Sequence, residues 1–178
     1  RDIREFLTRL EEAGRLRRIA APVDHTWELA CLARWMLQGL PEEGRFGLLF
    51  ERVTGFDTRV MTAILGASRW NYALALETTP DGIHEKWVNA LLHPVAPRVV
   101  EESPAREVVA DGADVDLKAI PIPVWTPGKD AAPYITATVI TKDLDTGVQN
   151  ASTYRCMVKD RNHLAINLTP GRHGHLNY

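Results

Sequence analysis

The sequence predicts an α+β chain, in which alternating helices and strands give way to an antiparallel meander. Three observations predict it. Apolar stripes of helical period, each with capping residues, recur up to about residue 93. Prolines at 94, 97, 104, 121, 123 and 127 then punctuate a stretch with little periodicity. From residue 134 onward the pattern turns to strand-like alternation broken by short turns.

The first helix is "DIREFLTRLEEAG", residues 2–14, where Ile3, Phe6, Leu7 and Leu10 share one face. Asp2 with Glu5 three residues later forms a capping box, and Gly14 stops the helix. "LRRIAAPV" (16–23) reads as a short strand ended by Pro22, and Asp24 is placed to cap a second helix, "HTWELACLARWMLQ" (25–38). "RFGLLFERV" (45–53) and "TRVMTAIL" (58–65) are strands joined through the Thr54-Gly55 turn. "RWNYALALE" (69–77) and "IHEKWVNALLH" (83–93) are two further helices.

The domain boundary falls in residues 95–105, giving units 1–97 and 98–178. In the second unit "YITATVITKD" (134–143), "VQNASTYRCMVKD" (148–160) and "LAINL" (164–168) are strands joined by the turns "DLDTG" and "RNH". Such a meander is consistent with part of a barrel or a sandwich. Three strands bury little surface alone, so the first half, further chain or a partner must cover them.

Composition narrows the function. The chain of 178 residues is 45% hydrophobic and 25% charged, with a net charge of -2. That balance argues against a nucleic-acid partner, and the basic run "RLRRI" (15–19) reads as a solvated face. No stretch approaches the ~20 apolar residues of a membrane span, and no signal-peptide core is present. Cys31 and Cys156 suit neither a disulfide framework nor a paired metal motif. The expected compartment is therefore the cytoplasm. Asn150-Ala151-Ser152 fits the glycan acceptor pattern, but that compartment makes the segment part of a site instead. The chain opens on Arg1 and stops at "GRHGHLNY", which suggests a fragment, a trimmed form or one subunit of a split protein.

Polar chemistry concentrates in the last thirty or so residues: Asn150, Ser152, Thr153, Tyr154, Arg155, Asn167, Arg172, His173 and His175. Strand periodicity puts Asn150, Ser152 and Tyr154 on one face, with Thr153 and Arg155 on the other. For Asn150 and Arg155 to serve one pocket, a β-bulge or bend must lie between them. "PGRHGH" is expected to be a flexible, glycine-flanked loop, on which His173 and His175 could bind a metal together or simply be solvated. Cys156 beside Arg155 has the makings of an activated thiolate, but a buried strand cysteine fits better. There is no P-loop, dinucleotide fingerprint or nucleophile elbow. The residues alone lead to a mixed N/O site with a cationic anchor, suited to an anionic ligand or a hard metal ion.

The whole chain resembles the UbiD-like decarboxylases, which use prenylated FMN. The resemblance runs through "DIREFLTRLEEAGRLRRIAAPVD", "LLFERVTGFDTRVMTAILGASRWNYALAL" and "IPIPVWTPGKDAAPYITATVITKDLDTGVQNASTYRCMV". Its most specific part is ITKD-x-x-TG-x-x-N-x-x-x-YR. The resemblance implies an N-terminal α/β domain followed by the start of a split β-barrel that binds the flavin. It also implies Asn150 and His173 as ligands of Mn²⁺ or Mg²⁺ at the cofactor phosphate, with K⁺ as a further candidate cation. Arg155 would contact cofactor and substrate carboxylate as the catalytic residue, and Ser152, Thr153, Tyr154 and Arg172 would line the cofactor.

The activity implied is reversible, non-oxidative decarboxylation of an aromatic, heteroaromatic or α,β-unsaturated carboxylic acid. The family's third metal ligand, a glutamate, and its proton-handling acids lie downstream of these residues, so the chain alone is expected to be inactive. A homo-oligomer, or a complex with the remaining C-terminal part, is the expected assembly. Two other readings compete. One is a non-catalytic flavin-binding or assembly subunit of a multi-subunit (de)carboxylase. The other is a metallohydrolase built on His173 and His175, which lacks a nearby carboxylate ligand or general base.

Overall fold

The computed structural model describes residues 2–178. Helix α1 (Ile3–Glu12) is capped by Asp2, whose Oδ1 accepts the N–H groups of Arg4 at 2.9 Å and Glu5 at 3.2 Å. Gly14, at φ +66°, ends it in a conformation that costs glycine nothing. Strand β1 (Leu16–Ile19) follows, then α2 (Glu28–Gly39).

Asp24 does not cap α2 directly, which corrects the expected helix start. Its Oδ1 accepts the N–H groups of Thr26 and Trp27, closing a turn over 25–27, and Trp27 is the residue that begins α2. A carboxylate bonding two and three residues ahead satisfies the turn's own donors first, and this delays the helix.

Strands β2 (Gly47–Phe50) and β3 (Val60–Thr62) complete the first sheet in the order β1-β2-β3. β1 and β2 are parallel, with α2 as the crossover, and β2 and β3 are antiparallel. The central strand is buried throughout and feeds two cores. Leu48 and Phe50 pack with Val23, Leu29, Ala33 and Met36 on the α2 side. Leu49 packs with Leu10, Leu16 and Leu74 on the side of α1 and α3 (Arg69–Leu76). Helices on both faces explain why "GLLF" is continuously apolar and not alternating. Helix α4 (Ile83–Leu92) packs on α3 but has no fully buried residue.

Residues 94–133 carry only single helical turns, and they connect the two sheets physically. The Val124 N–H donates to the His25 carbonyl at 3.3 Å, and Tyr134 N–H to the Pro123 carbonyl at 3.1 Å. Trp125 packs against the α2-side core while its Nε1 donates to the Tyr134 carbonyl at 3.0 Å. The second sheet is the predicted meander: β4 (Tyr134–Lys142), β5 (Gln149–Val158) and β6 (Leu164–Ile166), all antiparallel. One face of it carries exposed Thr136, Thr138, Ile140, Ala151, Thr153 and Arg155. A one-turn helix, α5 (His173–Leu176), packs against β5.

Candidate functional site

β5 pairs with β4 one residue to one residue from Tyr134↔Met157 to Lys142↔Gln149. The bulge expected between Asn150 and Arg155 is therefore absent. Thr141↔Asn150 and Thr136↔Arg155 both lie in a single unbroken register, so the two side chains leave opposite faces of the strand. They line different cavities, although each cavity takes residues from both faces of β5.

One cavity, of about 400 Å³, is lined by Ser152, Thr153, Tyr154 and Arg155 together with Asn167, Thr169 and Arg172. All five residues expected to line a cofactor without binding metal meet here. The second cavity, of about 500 Å³, brings Asn150 and His173 together, with Asp143, Thr146 and Asn177 among its other walls. The cavities adjoin through the chain itself, because Arg172 of the first is the residue immediately before His173 of the second. Ser152–Arg155 and Asn150 likewise follow one another along β5.

The predicted flexible loop at "PGRHGH" is corrected in part. Residues from His173 form α5, begun by Arg172, with the Leu176 N–H donating to the Arg172 carbonyl at 3.0 Å. Two residues apart on a helix, His173 and His175 do not face each other, and only His173 lines the cavity. The paired-histidine metal site does not form. Gly174 is the buried residue of this turn and lies against the hydroxyl end of the Tyr154 side chain.

Asn150 donates from Nδ2 to Thr141 Oγ1 at 3.4 Å, and Asn177 donates to the same oxygen at 3.0 Å. Thr141 thus orients the Asn150 amide, and among the described residues the Asn150 Oδ1 has no protein donor. That leaves a carbonyl-type oxygen and an imidazole on one cavity, a donor set that suits a hard divalent ion. Among the described residues no three His, Cys, Asp or Glu side chains cluster to hold a metal by themselves. Asp143 adds negative charge to the same wall. The Thr146 N–H, at 2.6 Å, and then the Thr146 hydroxyl, at 2.7 Å, hold its carboxyl below the usual range.

Arg155 leads to residues the sequence did not announce. Its Nη2 lies 3.0 Å from both carboxylate oxygens of Asp130, and its guanidinium sits 4.2 Å over the Tyr134 ring. Asp130 lies in the loop "GKDAAP", where nothing local marks it. The only available signal was that an arginine on a strand of mixed polarity needs a counter-charge. Cys156 is buried in β5 opposite Ile166, as the structural reading of that residue expects. No helix among the described residues is long and apolar enough to cross a membrane.

Comparison with known proteins gives this geometry a family. Residues 7–91 match the 3-octaprenyl-4-hydroxybenzoate carboxy-lyase N-terminal domain, and residues 98–178 match the Rift-related domain of the same carboxy-lyase. A protein encoded in the cooM 5′ region of Rhodospirillum rubrum is 36% identical over 97% of this chain. An evolved dimeric form of the UbiD-class enzyme HmfF from Pelotomaculum thermopropionicum, solved with prFMN, superposes with a TM-score of 0.86 at 36% identity over 97% of this chain. The apo 3,4-dihydroxybenzoic acid decarboxylase of Enterobacter cloacae superposes with a TM-score of 0.85 at 29% identity over 98% of this chain. The chain spans 36% of the Rhodospirillum protein's length, 39% of the HmfF chain and 38% of the Enterobacter chain.

Proposed function

This chain belongs to the UbiD carboxy-lyase family, and from that premise we propose that it is the N-terminal and flavin-barrel portion of a prenylated-FMN-dependent decarboxylase. Its substrate class would be aromatic, heteroaromatic or α,β-unsaturated carboxylic acids. On this reading residues 1–97 are the α/β domain and 98–178 begin the split β-barrel. The single observation that carries the assignment of the site is the convergence of Ser152, Thr153, Tyr154, Arg155 and Arg172 on one cavity beside the Asn150–His173 pair.

The residues divide the work by chemistry. Arg172 and the hydroxyls of Ser152 and Thr153 bind an anionic cofactor, with Tyr154 packed beside them. Asn150 and His173 would hold Mn²⁺ or Mg²⁺, which would offset the negative charge of the cofactor, and Thr141 holds the Asn150 amide nitrogen so that its oxygen is left for the ion. When bound, prenylated FMN supplies the electron-accepting centre that decarboxylation requires. Arg155 binds and orients the substrate carboxylate by charge-assisted hydrogen bonds. Assembly as a homo-oligomer or with further chain belongs to the same reading, since the evolved form of HmfF is dimeric and one face of the β4–β6 sheet is uncovered.

Replacing Arg155 with Ala in the whole enzyme tests this. Turnover on aromatic acids should fall by a factor of about a thousand or more, as for loss of a preorganised charge at a reacting group. The flavin spectrum and fold should be retained. Turnover within about twofold of wild type, with flavin bound, would remove Arg155 from the reaction.

A further inference from the structure

We propose that Asp130 is a positioning residue for Arg155, holding the guanidinium so that its remaining donors receive a carboxylate. The proposal rests on the reading of Arg155 as the substrate's carboxylate receptor.

The two side chains differ in exposure and anchoring. Arg155 is half exposed, at 52%, whereas Asp130 is only 10% exposed. The Asp130 carboxylate is itself held in place, because its Oδ2 accepts the Thr126 N–H at 2.9 Å. The backbone closes the same turn, with the N–H groups of Lys129 and Asp130 donating to the Thr126 carbonyl at 3.0 and 2.9 Å. Trp125, next in the chain, anchors the turn to β4 through the Tyr134 carbonyl. Asp130 is therefore a fixed point and Arg155 the group that it fixes.

The contact leaves Arg155 able to work. Asp130 engages Nη2 only, and the Tyr134 ring covers one face of the guanidinium at 4.2 Å. Among the described residues Nε and Nη1 have no protein partner. A guanidinium carries five N–H donors in a rigid plane, so fixing one nitrogen and one face fixes where the others point. With Arg155 half exposed the pair is partly screened by solvent, so what it chiefly supplies is orientation. The ligand class that fits the free edge is a planar carboxylate.

The test uses the whole enzyme loaded with prenylated FMN and compares wild type with Asp130→Asn and Asp130→Glu. One readout is kcat and KM on aromatic acids. The other needs no activity: the rate at which phenylglyoxal modifies Arg155, followed by peptide mass spectrometry. Asp130→Asn should keep its flavin, lose about tenfold or more in kcat, and expose Arg155 to modification about threefold faster. Asp130→Glu should recover part of both. Modification rate and kcat within about twofold of wild type in Asp130→Asn would overturn the proposal. Should that variant fail to fold, the same result in Asp130→Glu overturns it. If wild type turns over no acid while Asp130 still governs Arg155 reactivity, the positioning role stands and the decarboxylase reading falls.

Discussion

Gly174 lies so close to Tyr154 that a β-carbon on it would sit 2.6 Å from Cζ, with the hydroxyl oxygen nearer still. This contact seats α5 on β5, and α5 carries His173 to the cavity that Asn150 lines. The spacing between the metal-binding candidates is thus set by a residue that has no side chain. Only glycine allows the approach.

Gly174→Ala should therefore push α5 away from Tyr154, because a β-carbon there meets the phenol end of that side chain well inside contact distance. Overpacking of this kind costs about 1–3 kcal/mol. Manganese affinity should weaken by about tenfold or more, as when a supporting contact of a metal ligand is lost. Metal titration of wild type and variant checks this, and unchanged affinity would mean that α5 does not set the position of His173.

Asn71 is fully buried and forms a closed polar set at the start of α3. Its Nδ2 donates to the Ile64 carbonyl at 3.1 Å, and the Ser68 hydroxyl donates to its Oδ1 at 3.0 Å. Asn71→Ala removes the donor to that carbonyl and the acceptor of the Ser68 hydroxyl, which keeps only the residue-71 N–H, and this should cost about 1–3 kcal/mol. Chemical denaturation measures it directly.

The carboxyls of Asp2, Asp24, Glu42, Asp143 and Asp160 are all held below their ordinary values, chiefly by hydrogen bonds to the charged form. A pKa lowered by folding adds stability above the unfolded value. That stability is lost as pH falls through the folded value, so the fold should weaken from about pH 4 downward. For Asp143 the donors are the Thr146 N–H and hydroxyl. Asp143→Asn should be less stable at neutral pH and lose less on acidification, which denaturation midpoints on either side of about pH 4 will show.

Much of the fold was legible in the sequence because it is written in local patterns. Asp2 and Gly14 bound α1 as read, and the alternation of residues 134–142 and 149–158 gave β4 and β5 with their faces correctly assigned. The failures are places where a competing local interaction won. Asp24 bonded its own turn before it could start α2. The bulge in β5 was an inference from function, and a nine-pair register offered no place for it. A single helical turn at His173 was hidden by flanking glycine and proline. At the site, the β5 residues were visible because Asn and Arg are unusual in a strand. Asp130, Tyr134 and Thr141 were not, because their roles depend on tertiary contacts with Arg155 and Asn150.

The most direct measurement is the visible spectrum and manganese content of the desalted whole protein, co-expressed with the flavin-prenylating enzyme, beside Asn150→Ala and His173→Ala. Wild type should retain flavin absorbance with about one manganese per chain, and both variants should lose the metal. Wild-type protein that emerges colourless and metal-free, or variants that keep their manganese, would contradict the proposed function.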